Sequence, residues 1–404
     1  VIVTKEFGPG EPMTIGAGET LVVDFGQNCA AVPSFVFKGK EGTVLTCLPG
    51  EILNDGNGAR SRGMDGPEGS VHRENLRAHE NCFRLLYTFA DSRNFVSYYP
   101  HCTFFGYRFV SITATDEVTI KSIASIPVTS IAKKLEIGSI ATGNELVNKL
   151  ISNTYWGQLS NYLSVPTDCP QRNERLGWMA DTQVFTETGS FFANTMNFFH
   201  KWMRDVRDSQ NRLGGYPGVA PLAQYGGEFM RLGWADAGVI VPWTIWKQFG
   251  DTQIVEENWA AMEMFMSHIN DTKYNHEALR GENGNYQWAD WLSYEPTSKE
   301  YISFVTYANV ADLMAKIAST LSEKEGDRYD GDAKKYAALF EDLKAKFNER
   351  FVKDGDLAER TQCTYLMALR FGLVDGELRE NCIKNLANKI KANGYKLSTG
   401  FVGT

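Results

Sequence analysis

The fourteen residues Asp168-Cys-Pro-Gln-Arg-Asn-Glu-Arg-Leu-Gly-Trp-Met-Ala-Asp181 place three acids and an indole in one short run. Pro170 fits the first turn of a helix but not its interior. The pattern therefore predicts a helix entered near Gln171 and continuing through Leu176, Met179 and Ala180 to Val184. At about 100° per residue, Glu174, Trp178, Asp181 and Phe185 fall within about 60° of one another. Leu176, Met179, Ala180 and Val184 lie away from that stripe and can pack. Asp168 stands just ahead of the first turn, where the helix dipole favours an acid. A carboxyl group and an aromatic plate on one wall suit the cleavage of sugars. The acid protonates a leaving oxygen, and the ring packs on the C–H face of a pyranose. The same spacing also describes a solvated helix face whose acids pair with Arg172 and Arg175. Spacing alone leaves both readings open.

The run resembles the signature of bacterial α-L-rhamnosidases, glycoside hydrolase family 78, which reads approximately Asp-Cys-Pro-Gln-Arg-Asp-Glu-Arg-x-Gly-Trp-x-Gly-Asp. Two positions depart from it. Ala180 replaces the usual Gly, favours helix and falls on the packing side, so little effect is expected. Asn173 replaces the usual Asp and removes a negative charge beside Glu174. That is expected to lower the pKa of the acid slightly or to change contacts beyond the sugar. The resemblance extends to Asp24-Phe-Gly-Gln-Asn28, Tyr107-Arg-Phe-Val110, Ser164-Val-Pro-Thr167, Trp234-Ala-Asp-Ala237, Val241-Pro-Trp243, Ala289-Asp-Trp-Leu292 and Ser398-Thr-Gly-Phe-Val-Gly-Thr404. Matches thus recur from about residue 20 to the end.

By this resemblance Glu174 is the general acid. Asp168, Arg172, Trp178 and Asp181 would line the rhamnose subsite, and Trp234 and Trp291 would add aromatic walls. The family inverts configuration, with a second carboxylate acting as base on a water about 6.5–9.5 Å across the site. In the family that base lies downstream of the Thr-Gly-Phe-Val-Gly-Thr segment. The chain stops at Thr404, inside that segment, which places the base beyond these residues. Glu174 is expected to stay protonated near neutral pH through desolvation and neighbouring carboxylates, while Asp168 and Asp181 stay ionised and Arg172 balances one of them.

The elements must hold that run in place. Residues 1–137 read as an antiparallel β-sandwich. Thr20–Phe25, Ser34–Lys38, Thr43–Cys47 and Phe109–Thr113 are short, β-branched or aromatic and partly alternating. Asn54 to Asn75 is a long Gly- and Arg-rich loop whose arginines read as solvated, although a loop of this length can reach over a neighbouring cleft. Near Thr142 the period changes: Thr142-Gly-Asn-Glu145 fits a capping box. Amphipathic helices then follow near 182–194, 197–210, 235–249, 254–269, 301–321, 329–351 and 376–392. Helices without intervening strands over residues 138–404 predict an all-α domain. An (α/α)6 barrel fits, the resemblance implies one, and its C-terminal part would be truncated.

The 404 residues carry a net charge of −8, which argues against nucleic acid or an anionic membrane as partner. No apolar run reaches the length of a spanning helix. No signal peptide is visible, but the chain begins at Val1 and reads as an excerpt, so this decides nothing. By analogy a polymer-degrading role points to the periplasm or outside, with the cytoplasm still open. Seven cysteines are scattered without a CxxC pair, and read as reduced, buried thiols. Cys169 has no nearby His to activate it and is assigned to packing. His200, His268 and His276 form no ligand spacing, so neither metal nor cofactor is expected. Asp236 and Asp290, each able to cap a helix, are taken as supporting residues beside Trp234 and Trp291. Trp243 and Trp246 are assigned to the core. Glu187 falls outside the stripe, and Glu228 and Glu295 are the in-chain alternatives for a base.

The sequence therefore predicts an inverting hydrolase of terminal α-L-rhamnose. The rivals are another (α/α)6 glycosidase such as a fucosidase or glucosidase, a polysaccharide lyase, and a non-catalytic carbohydrate-binding protein.

Overall fold

The computed structural model describes residues 2–3, 11–77, 83–224, 226–270 and 288–404. Cys82 and His276 lie outside them. Contacts divide the chain into two compact units, Val1–Leu176 and Gly177–Thr404.

The first unit is built on one eight-stranded sheet among the described residues. Its strands are β1 (Ile2–Val3), β2 (Met13–Ile15), β3 (Thr20–Gly39), β4 (Val44–Gly50), β5 (Leu85–Thr88), β6 (Val96–Tyr98), β7 (Phe105–Ala114) and β8 (Val118–Pro127). The order is β2-β8-β3-β7-β4-β5, with β1 and β6 also on β3. All pairings are antiparallel except β1 with β3. The two strands expected at Thr20–Phe25 and Ser34–Lys38 are one strand, interrupted by a register shift between Asp24 and Cys29. β3 pairs with β7 as far as Ala31 and with β8 from there on. One continuous strand thereby serves two neighbours. Strict alternation of buried and half-buried residues from Pro33 to Gly39 turns Phe35 and Phe37 inward. They meet Leu45, Phe89, Tyr107, Ile112 and Ile120 in a single core.

Two of the resembling segments meet in this sheet. Arg108 donates through Nε and Nη2 to the two Asp24 oxygens, both at 2.7 Å. The pair lies across the bulge and is exposed, so it fixes register more than it adds stability. β8, absent from the expected strands, carries the alternating run Val118-Thr-Ile-Lys.

The loop from Asn54 to Asn75 is ordered by its own acids. Asp65 accepts the N–H groups of Arg73 and Glu74 at 2.7 and 2.8 Å. Arg73 is not solvated as expected. Its guanidinium donates to Pro49 O at 2.8 Å and to Phe83 O at 3.1 Å.

Helix α1 (Glu145–Asn161) also belongs to the first unit. Its N-cap is Asn144, whose side chain accepts from Leu146 and Val147 N–H, not Thr142 as the capping box predicted. Thr142 instead bonds the Asn148 side chain at 2.9 Å. Trp156 and Ser160 face the sheet, the latter accepting Ala30 N–H at 3.1 Å.

The second unit is helical: α2 (Met179–Phe192), α3 (Met196–Asp208), α4 (Ala237–Phe249), α5 (Thr252–Asn270), α6 (Lys299–Glu325), α7 (Asp330–Phe351), α8 (Gln362–Arg370) and α9 (Gly376–Ala392). Each of the helices expected between residues 182 and 392 is present with ends shifted by a few residues. The short α8 was missed, being one of the few helices without a long apolar repeat. Trp202, Tyr216, Tyr301, Phe265 and Phe347 fill the interior. Among the described residues no helix is long and apolar enough to cross a membrane.

Candidate active site

The signature run does not begin a helix at Gln171. α2 starts at Met179, with Trp178 at its N-cap, and residues 170–177 are irregular. Two local bonds account for this. Asp168 N–H donates to Leu176 O at 3.1 Å, and Leu176 N–H returns to Asp168 Oδ1 at 2.9 Å. Asp168 thus closes a loop on itself, which competes with helix in the manner usual for Asp. Arg175 then adopts a left-handed φ of 54°, a conformation that ends regular structure. The helical stripe joining Glu174 to Trp178 and Asp181 is therefore not the arrangement. Glu174 rides a loop, whereas Asp181 sits in the first turn of α2. Ala180 is fully buried, as its packing role required, but Val184 is 46% exposed and does not pack.

In the first unit, oxygen and sulfur atoms of Asp168, Cys169 and Glu174 lie within 4.8 Å of one another. Arg77 Nη1 stands 3.6 Å from Glu174 Oε2. This cation, two residues beyond the long loop, was not foreseen. Burial, and the neighbouring Glu174, raise the Asp168 pKa from the ordinary carboxylate value. Bonds from Cys169 and Leu176 oppose that rise. The Cys169 thiol donates to Asp168 Oδ2 at 2.8 Å. Burial and that carboxylate push the thiol pKa far up, which disfavours the thiolate that a nucleophile needs. Arg172 Nε is buried with no hydrogen-bond partner among the described residues, an unsatisfied donor of the kind native structures rarely leave. Asn173 is exposed.

In the second unit the tryptophans gather around one that the sequence reading left unassigned. Trp288 lies 5.3 Å from Trp178 and 4.8 Å from Trp234, ring centre to ring centre. The Arg231 guanidinium sits 3.7 Å above its ring and pairs with Glu228 at 3.2 Å. Trp234 stacks on Phe401 at 6.3 Å and 23° and is only 4% exposed, while Trp291 is 48% exposed. The density of Trp288-Ala-Asp-Trp291 was the available signal for Trp288, and the resembling segment Ser398–Thr404 contained Phe401; nothing marked Arg231.

Gly177, just after the acid loop, is forced by packing. A Cβ there would lie 2.1 Å from Ala220 O, the carbonyl that accepts the Trp202 indole N–H at 2.9 Å. Gly177→Ala is expected to destabilise the protein by about 2–4 kcal/mol through displaced backbone. A chemical-denaturation midpoint equal to wild type would refute the close approach.

Asp236 stands at the N-cap position of α4 but its side chain makes no capping hydrogen bond, and the Asp290 side chain serves a loop instead. Asp290 is buried and accepts N–H from Gly400 at 2.7 Å, Val402 at 3.1 Å and Gly403 at 2.9 Å. Phe401 N–H donates to Trp291 O at 2.9 Å. Asp236 has no exposed surface, accepts Gly233 N–H through Oδ2, and leaves Oδ1 without a hydrogen-bond partner. Burial pushes its pKa to about 7. The folded state therefore holds a proton that the unfolded chain releases near pH 4. Stability from this group is complete below pH 4 and is lost as pH rises towards 7, at about 1.4 kcal/mol per unit. Asp236→Asn should remove that slope and be about 1–3 kcal/mol more stable than wild type at pH 8. Urea melts at pH 5 and 8 giving the same difference between the two proteins would exclude it.

The in-chain alternatives for a base are occupied. Glu295 binds Lys389 at 2.6 Å, Ser398 Oγ at 3.0 Å and Gln362 N–H at 3.4 Å. Its burial acts to raise the pKa, but these partners outweigh it and the net shift is downward. Glu228 pairs with Arg231 at 3.2 Å, and Glu187, outside the expected stripe, pairs with Lys247 at 3.1 Å.

Comparison with known proteins bears on both units. A family model described as the bacterial α-L-rhamnosidase six-hairpin glycosidase domain matches residues 135–404. A second, the bacterial α-L-rhamnosidase concanavalin-like domain, matches 16–129. An α-L-rhamnosidase of Formosa agariphila is 32% identical over 397 residues, covering 96% of this chain and 40% of that protein. One from Streptomyces avermitilis is 32% identical over 413 residues, covering 100% of this chain and 36% of the other. The crystal structure of the Streptomyces avermitilis enzyme complexed with L-rhamnose superposes with a TM-score of 0.81 at 30% identity, over 98% of this chain and 37% of that one. Native α-L-rhamnosidase from Aspergillus terreus gives 0.79 at 28%, over 95% and 43%. The chain spans about two fifths of the length of the relatives it matches. The sheet of the first unit is thus a concanavalin-like sandwich and the helices are those of an (α/α)6 barrel. Since the six-hairpin model takes in well over half of the residues, including the whole run from Asp168 to Asp181, the chain belongs to the bacterial α-L-rhamnosidase six-hairpin glycosidase family.

Proposed function

We propose that the protein releases terminal α-L-rhamnose from glycans or glycosides by inversion. Glu174 is the general acid. Asp168, Arg172, Trp178, Asp181, Trp234 and Trp291 contact the sugar, and Asp236 and Asp290 support them. The sandwich is assigned to residues 1–137 and the barrel to 138–404. The observation that carries the reading is the self-closed loop: it holds the Glu174 carboxyl beside Asp168, next to a buried Arg172 donor with no hydrogen-bond partner among the described residues.

In this reading Glu174 protonates the glycosidic oxygen, while a second carboxylate, other than the occupied Glu295, takes a proton from the attacking water. The indole faces carry the C–H side of the sugar, and Arg172 Nε donates to a sugar oxygen. Arg77, 3.6 Å from Glu174, stabilises the carboxylate left after proton transfer. The test is the full-length gene product on an aryl α-L-rhamnoside and a rhamnose-capped oligosaccharide, with the first-formed anomer read by NMR. Release of β-rhamnose first is expected. No release, or release of the α anomer first, overturns the proposal.

A further inference from the structure

The first unit carries a groove of about 470 Å³ whose lining includes Phe83, Arg84, Leu86, Tyr98, Phe104 and Arg175. Arg175 is the residue after the candidate acid. Its guanidinium lies 4.2 Å from the Phe104 ring centre and 5.0 Å from that of Phe83. Nε donates to Pro170 O and Nη2 to Phe104 O, each at 3.0 Å. A third cation is close, because Phe83 O accepts from Arg73. Arg73 has Asp65 to answer its charge. Among the described residues, no ion pair joins Arg84 or Arg175 to a carboxylate. Two guanidinium groups without a carboxylate partner among the described residues, set against aromatic walls in a chain of net charge −8, form a place that favours an anion. The rings supply flat apolar surface of the kind that packs on a sugar, and the volume suits a sugar unit rather than a bare inorganic ion.

We propose that this groove binds an anionic sugar unit, one bearing a carboxylate or a sulfate ester, in the glycan from which rhamnose is removed. Exposed Arg84 grips the anionic group and Arg175 supplies a fixed positive field. The inference rests on reading the Glu174 loop as the acid loop, since Pro170, which Arg175 holds, belongs to that loop. It deepens the proposed function by naming the class of sugar beyond the cleaved bond.

The test uses the full-length protein on four substrates: an aryl α-L-rhamnoside, a rhamnosyl-uronate disaccharide, its carboxyl-reduced neutral counterpart, and a sulfated counterpart. Wild type is expected to prefer at least one charged disaccharide over the neutral one by about 10-fold or more in kcat/KM, expressed in KM. Arg84→Ala should erase that preference, Arg84→Lys should keep part of it, and both should hydrolyse the aryl rhamnoside as wild type does. The uronate and sulfate arms identify the anion. Equal rates on charged and neutral disaccharides, or a preference surviving Arg84→Ala, overturn the proposal. If no rhamnoside is cleaved, the parent reading falls separately. Calorimetric titration of wild type and Arg84→Ala with free glucuronate and glucose 6-sulfate then decides the groove: binding of either that depends on Arg84 supports it, and binding of neither rejects it.

Discussion

Replacing Glu174 with Gln should lower kcat of the full-length protein on a rhamnose-capped oligosaccharide by about 10²–10⁴-fold. Gln has nearly the shape of Glu and keeps an oxygen towards Arg77, so binding and folding should change little. What it cannot do is donate a proton to a poor leaving group. A nitrophenyl rhamnoside, whose leaving group needs no proton, should lose far less. The contrast between the two substrates separates a proton donor from a residue that merely shapes the loop. Equal losses on both, or full activity on the oligosaccharide, would remove Glu174 from the role.

The second large effect is on structure. Asp290→Ala should destabilise the second unit by about 3–5 kcal/mol, because one truncation strands three backbone donors away from water. The damage should start locally. Gly400, Val402 and Gly403 lose their shared acceptor, and Phe401, stacked on Trp234, loses the frame that seats it. Hydrogen exchange at Val402 and Gly403 should therefore accelerate more than exchange in α6 or α7. Asp290→Asn keeps one acceptor oxygen and should fall between. If Asp290→Ala melts within about 0.5 kcal/mol of wild type, the three bonds are not what holds the segment.

Much of the fold was legible because it follows from periods. Helical spacing marked most of the long helices of the second unit, and β-branched alternation marked the strands at Val44 and Phe105. The failures share a cause: a side chain took over a bond that the backbone pattern reserved for regular structure. Asp168 captured Leu176 N–H and turned a predicted helical turn into a loop. Asn144 displaced Thr142 as cap because, standing directly before the helix, its side-chain oxygen meets two donors, Leu146 and Val147 N–H. β3 read as two strands because residues 24–28 break alternation at the bulge while the chain continues straight on. Trp288 and Arg231 were hidden for another reason. Their importance lies in contacts between distant segments, which single-chain spacing does not encode.

The loop closed by Asp168 and Leu176 has an evolutionary consequence. Its two stems are bonded to each other, so the residues between them form a cassette that carries Glu174 and Arg172 and whose exposed positions are free to change. Exposed Asn173 can differ from the family pattern, and others like it can vary, without moving either anchor. A change of one residue in the cassette's length would instead rotate Glu174 away from Asp168 and Arg77. Relatives should therefore diversify here by substitution and hardly ever by insertion or deletion.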